Sequence, residues 1–286
     1  MDANLIKTVF LPMALGIVML GMGLSLTIAD FKKILKSPKA IAIGLTNQLI
    51  LLPLIGFIVA ILFPMSPEYA VGIMVLAACP GGVTSNLITH LSKGDTALSV
   101  SLTAINSFIT IITIPIIVSF AINYFLDSSQ TVNVASTILK QVAVLTILPI
   151  SLGMFIRSKA EPFAIKMERP VKIASALILA VVILGAILNE KETLQQSFKM
   201  AGPATFVLNI AAMIIGFASA YLFKLPLRQR ISISIESGIQ NGTLALFITL
   251  SIFQNNAMSI PPAIYSLIMF GTGFMMIMLF GKESKA

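Results

Sequence analysis

Tryptophan is absent, cysteine and histidine occur once each, and only 10% of the 286 residues are charged. Each shortage removes a class of protein. A single cysteine, Cys79, excludes a disulfide within the chain and a multi-cysteine metal centre. A single histidine, His90, argues against a zinc site, and its place beside a basic loop suits a headgroup residue. A soluble domain carries about 25% charged residues. Here 57% of the residues are hydrophobic and the mean hydropathy is +0.98, the composition of a polytopic membrane protein. Bases outnumber acids, nineteen to eleven. They cluster in short stretches between apolar runs, so they serve membrane orientation and imply no nucleic-acid partner. No Ser/His pair, paired carboxylates or metal triad shares a common depth, which speaks against an enzyme. The first apolar run is long and has no basic cluster before it, so no cleavable signal peptide is evident.

A span needs about 20 apolar residues. Nine are expected, over 8–27, 38–62, 69–91, 97–123, 135–156, 171–189, 203–223, 231–253 and 261–281. Every second loop is basic. Lys32, Lys33, Lys36 and Lys39 follow the first span, and Lys93 follows the third. Arg157, Lys159, Lys166, Arg169 and Lys172 follow the fifth, and Lys224, Arg228 and Arg230 the seventh. Lys282 and Lys285 end the chain, which brings fifteen of the nineteen bases to one side. The positive-inside rule then puts the N-terminus outside and the C-terminus in the cytoplasm. The expected location is the cell membrane, the inner one in a bacterium.

Two spans carry interruptions. The third contains Cys79-Pro80-Gly81-Gly82-Val83-Thr84-Ser85-Asn86, where a missing donor and two glycines should open the helix. The eighth contains Glu236-Ser237-Gly238-Ile239-Gln240-Asn241. Glu236 is the only one of the eleven acids that lies deep in a span. A charge at mid-membrane costs roughly 2.5–3.5 kcal/mol, so it needs a partner, and no base lies at its depth. The breaks stand third in spans 1–4 and third again in spans 6–9, sets that start in opposite senses. That is the pattern of an inverted-repeat transporter with its site at the midplane. An acid, amides, hydroxyls and freed carbonyls together describe a cation site. Ser99 and Thr103, four residues apart, share one face of span 4.

At these motifs the chain resembles the bile acid:sodium symporter family, which includes the apical and liver sodium-dependent bile acid carriers and bacterial carriers of organic anions. The stretches GMGLSL at 21–26, CPGGVTSN at 79–86, KGDTALSVSLT at 93–103 and IESGIQNGTLA at 235–245 carry the likeness, in the family's order. Many bacterial relatives have ten spans, and this chain starts where their second would, as the animal liver carriers do.

The resemblance implies an all-α transporter with two crossed discontinuous helices, a core domain of 38–123 and 203–281, and a panel of 1–37 and 124–202. It implies two sodium ions behind the crossing. The first would be held by Ser85, Asn86, Ser99, Thr103 and Glu236. The second would be held by Gln48, Glu236 and Gln240 with carbonyls of Ser237 and Ile239. Val83, Thr84 and Asn241 would touch the substrate. Where some relatives offer polar groups from the last span, this chain has Ile268-Met269-Phe270, which suggests a more apolar pocket.

The function implied is sodium-coupled import of an organic anion, such as a bile acid or a pantoate-like carboxylate, by alternating access. A proton-coupled carrier with Glu236 titrating is the alternative. The partners expected are a small organic anion and the bilayer; the sequence does not fix the oligomeric state, and a monomer is compatible with it.

Overall fold

The computed structural model describes residues 6–32, 37–127, 131–167, 170–171, 173–174, 177, 180–181 and 194–281. Among these residues every regular element is a helix. A π-turn at Ile6–Phe10 leads into α1, Leu11–Ser25, and a short α2 follows at Ile28–Lys32. Then come α3 (Pro38–Thr46), a π-turn at Asn47–Leu51, and α4 (Leu52–Leu62). Next are α5 (Pro67–Ala78), α6 (Val83–Leu91), α7 (Thr96–Leu126) and α8 (Thr131–Lys159). The chain resumes with α9 (Leu194–Leu222), α10 (Leu227–Gly238), α11 (Gly242–Phe247), a π-turn at Ile248–Ile252, and α12 (Asn256–Phe280).

Six stretches of helix are long and apolar enough to cross a membrane: Lys7–Ser25, Pro38–Leu62, Thr96–Leu126, Ala135–Lys159, Gln195–Leu222 and Asn256–Phe280. The third and eighth expected spans exist as pieces, each too short alone because it is interrupted. The sixth expected span, 171–189, lies largely outside the described residues. The seventh starts earlier than expected, at Leu194, because Pro203 sits inside a continuing helix.

The long helices turn apolar stripes outward. Ile112 and Ile116 of α7, and Leu148, Leu152 and Phe155 of α8, are all more than half exposed, as lipid-facing side chains must be. Apart from α6, whose Leu87 and Leu91 are exposed, the interrupted pieces lie largely inside. Every residue from Tyr69 to Ala78, from Ile231 to Gly238 and from Gly242 to Phe247 is buried. Such helices have no solvent face to polarise, which is why polar and apolar residues alternate along them without an amphipathic period.

One order of elements recurs. After the first break come α6, a left-handed Lys93 (φ 57°), and Asp95, whose carboxylate accepts from the amide of Leu98 at 3.1 Å to start α7. After the second break come α11, a left-handed Gln254 (φ 53°), and Asn255, whose side-chain oxygen accepts from the amide of Met258 at 3.1 Å to start α12. Asx caps of this kind fix where each long helix begins.

α1 packs closely against α8. A Cβ on Gly153 would stand 2.5 Å from the carbonyl oxygen of Leu20 and 2.7 Å from Gly23, backbone against backbone. Small residues permit this approach, and in lipid such packing replaces the hydrophobic drive. A Cβ on Gly16 of the same helix would meet nothing within 4 Å. Gly153→Ala is therefore expected to destabilise the protein by about 1–3 kcal/mol through forced separation of the helices. Gly16→Ala should be neutral. Thermal unfolding in detergent, followed by dye labelling of the buried Cys79 thiol, measures both.

Candidate functional site

The two breaks lie against each other. Cys79 is extended (φ −73°, ψ 148°) because a residue before proline avoids the helical region, and the chain re-enters helix at Val83. The second break contains no proline. It occurs at Ile239, extended at φ −105° and ψ 100°, where the carbonyl of Gly238 leaves the helical ladder. Asn209 Nδ2 and the Tyr265 hydroxyl both donate to that carbonyl at 2.8 Å. Gly81 and Gln240 form an antiparallel bridge, and the amide of Asn241 donates to the Pro80 carbonyl at 2.8 Å. Each opening thus satisfies backbone groups that the other leaves free, which apolar surroundings require.

Glu236 sits beside this bridge, buried, with no Lys or Arg paired to it among the described residues. Its Oε1 lies 2.6 Å from Ser85 Oγ and 2.5 Å from Ser99 Oγ, and its Oε2 lies 2.8 Å from Thr103 Oγ1. Ser99 and Thr103 also lie 2.8 and 3.2 Å from Asn86 Oδ1, and Ser85 Oγ lies 2.7 Å from the Gly82 carbonyl. Six short oxygen–oxygen approaches share three hydroxyl protons, since a hydroxyl donates once. The remaining approaches set lone pair against lone pair. A cation resolves such a cluster.

A second group adjoins it. Gln48, in the π-turn between α3 and α4, donates from Nε2 to the Cys79 carbonyl at 2.8 Å and to Gln240 Oε1 at 2.7 Å. Gln240 donates in turn to the Ser237 carbonyl at 2.8 Å. Gln48 Oε1 is buried without a donor, a costly state for an amide oxygen unless it faces a cation. A Cβ on Gly81 would stand 2.8 Å from Glu236 Oε2, 3.3 Å from Ser85 Oγ and 3.5 Å from the Ile239 carbonyl oxygen. The glycine is what lets these oxygens share one small volume.

All nine residues expected to hold cations therefore lie in this one neighbourhood, distributed over α6, α7, α10, the second break and the π-turn after α3. Of those expected to touch substrate, Val83 is buried and Thr84 half-buried on the first turn of α6. Asn241 caps α11 through Oδ1, which accepts from the amide of Leu244 at 3.0 Å. Its Nδ2 is buried and unpartnered. A Cβ on Gly82 would be 3.9 Å from the Asn241 Cβ, so the two break ends face each other here. Sequence reasoning missed Asn209 and Tyr265, which hold the second break open, and the carbonyls of Cys79 and Gly82. The available signal was faint: an amide and a phenol within otherwise apolar runs.

A profile of the Sodium Bile acid symporter family matches residues 12–198, more than half of the chain. The match takes in Gln48, the first break and α7, and ends before Glu236. Alignments with individual relatives run further. The uncharacterized sodium-dependent transporter YocS of Bacillus subtilis is 28% identical over 96% of this chain and 84% of its own length. The human ileal sodium/bile acid cotransporter is 28% identical over 92% of this chain and 76% of its own. The probable chloroplastic sodium/metabolite cotransporter BASS1 of Arabidopsis thaliana is 28% identical over 88% of the chain. This chain spans only 62% of that plant protein. The protein belongs to the sodium bile acid symporter family, whose members are transporters.

Proposed function

We propose that the protein is a symporter that imports an organic anion with sodium by alternating access, crossing the membrane nine times with its N-terminus outside. The observation that carries this reading is the oxygen cluster around Glu236, short of protons and, among the described residues, of any base, with Gln48 Oε1 orphaned beside it. Sodium is cargo here. One ion lies among Ser85, Asn86, Ser99, Thr103 and Glu236, the other among Gln48, Glu236, Gln240 and the carbonyls of Ser237 and Ile239. Oxygen donors of this kind suit a hard cation. The names of the relatives favour sodium too, and nothing in them speaks for the alternative of proton coupling through Glu236.

The coupling follows from where the ligands sit. Ions held jointly by α6, α7, α10 and the π-turn draw the two breaks together as crossed discontinuous helices of an inverted repeat. That fixes Val83, Thr84 and Asn241. The unpartnered Nδ2 of Asn241 supplies a donor for a carboxylate or sulfonate. The core, 38–123 and 203–281, then moves against the panel, 1–37 and 124–202.

Three substitutions test this reading. Glu236→Gln should lower sodium-driven uptake of labelled taurocholate or pantoate into proteoliposomes by at least ten-fold, about 1.4 kcal/mol. The same change should abolish the rise in thermal midpoint that sodium gives the unaltered protein. Uptake that ignores sodium or survives this substitution overturns the proposal. Gln48→Leu should keep the fold but reduce the sodium Hill coefficient from about two towards one. Asn241→Asp keeps the cap oxygen and removes the donor, so it should weaken anion binding about ten-fold while sodium still stabilises the protein. Equilibrium binding with and without sodium separates the two effects.

A further inference from the structure

A second cavity, of about 460 Å3, lies where α1 and α8 meet the second interrupted segment, at the end of the molecule opposite Lys93, Arg157 and Arg228. Its polar lining comes from Lys7, Thr8, Lys140, Gln141 and Ser251, and no Asp or Glu is among the residues that line it. Pro12, Val144 and Phe247 form an apolar wall. Phe247 stands six residues beyond Asn241 along α11, about 9 Å at 1.5 Å per residue. The cavity is therefore separate from the break site.

The two lysines are out of place by the rule that orients the chain. Fifteen of nineteen bases lie on the proposed cytoplasmic side, and Lys7 and Lys140 are among the four that do not. Nothing in topology calls for them, yet both reach the same cavity. Lys7 is held in place: its Nζ donates to Asn256 Oδ1 at 2.7 Å, and its carbonyl accepts from Ser251 Oγ at 2.6 Å. An ammonium has three protons, so two remain available. Lys140 is exposed, and no carboxylate pairs with either lysine among the described residues. Two uncompensated cations above an apolar wall are complementary to a molecule with an anionic head and an apolar body.

We propose that this cavity is an outer capture site for amphiphilic organic anions, in which Lys7 and Lys140 bind the carboxylate or sulfonate before the molecule reaches the breaks. It rests on the proposed symport only for its purpose, since the binding itself needs no ion gradient. A cleft of one charge sign raises the local concentration of its counter-ion and the rate of encounter by ten-fold or more.

Cys79 is buried, so an introduced thiol is the reactive one. In nanodiscs of phosphatidylcholine, the exposed Gln141 is replaced by cysteine, and labelling is timed with anionic methanethiosulfonate ethylsulfonate and with its cationic trimethylammonium analogue. The Q141C variant should favour the anionic reagent, and the ratio should fall about ten-fold when K7Q and K140Q are added. Cholate or naphthalene-2-sulfonate, below micellar concentration, should slow labelling of Q141C and leave the triple variant unaffected. A ratio indifferent to the lysines, or no protection by either anion, overturns the proposal. Protection that requires anionic lipid assigns the lysines to headgroups and overturns it as well. The E236Q background should give the same labelling result, so failure of sodium coupling and failure of the capture site are read separately.

Discussion

A carboxylate buried among hydroxyls, with no base paired to it among the described residues, is the constraint on which the architecture depends. Removing an ion from water costs several kcal/mol even after relaxation. Glu236 recovers part of that cost from Ser85, Ser99 and Thr103, which approach both of its oxygens. Those hydroxyls are themselves oversubscribed, because each also faces a carbonyl oxygen. Adding more oxygen to a negative centre cannot complete such a cluster. A positive charge can, and the surrounding groups are those that an alkali cation accepts in place of water.

The breaks are necessary to that cluster. An unbroken helix at mid-membrane depth would spend every carbonyl on its own ladder and leave none to face inward. Opening α5 from α6 and α10 from α11 frees carbonyls, but it also strands amides that nothing in hydrocarbon could satisfy. The structure meets both requirements by setting the openings against each other, with Asn241 N on Pro80 O and Gly81 bridged to Gln240. The carbonyl of Gly238 is taken by Asn209 and Tyr265 and that of Ser237 by Gln240 Nε2, while that of Ile239 lies beside Gly81, near the acid.

How much of this was legible in the sequence differs between the breaks for a physical reason. Pro80-Gly81-Gly82 announces the first one, since it combines a missing donor with two unconstrained residues. Proline alone does not do so: α7 runs through Pro115, α8 through Pro149, and α12 through Pro261 and Pro262. The second break was legible mainly through its polar residues. Its geometry is imposed from outside by side chains on α9 and α12, and no local pattern encodes a capture of that kind. The π-turn that places Gln48 was invisible for the same reason. Only the presence of an amide in an apolar run hinted at it. The start of the last span drifted because its helix begins at an Asx cap beyond the apolar run, Asn255, whereas α7 starts at Thr96, one residue from the expected 97.

The positions of the two candidate sites also bear on movement. Every residue assigned to a cation lies on α6, α7, α10, the second break or the π-turn after α3, all within the proposed core. None comes from α1 or α8. The basic cavity is built differently, with Lys7 and Pro12 on one side of a seam, Lys140 and Val144 beside them on α8, and Phe247 and Ser251 across it. A rigid displacement of α1 and α8 relative to the rest would leave every cation ligand in register. It would also carry Lys140 away from Phe247 and so reshape the cavity. The proposed ion sites and the proposed capture site are thus mechanically separable, and they are linked by α11, whose first residue follows Asn241 and whose last is Phe247. In the proposed scheme a substrate passing between them would have one short helix to follow, and that helix starts at the break beside the proposed ions.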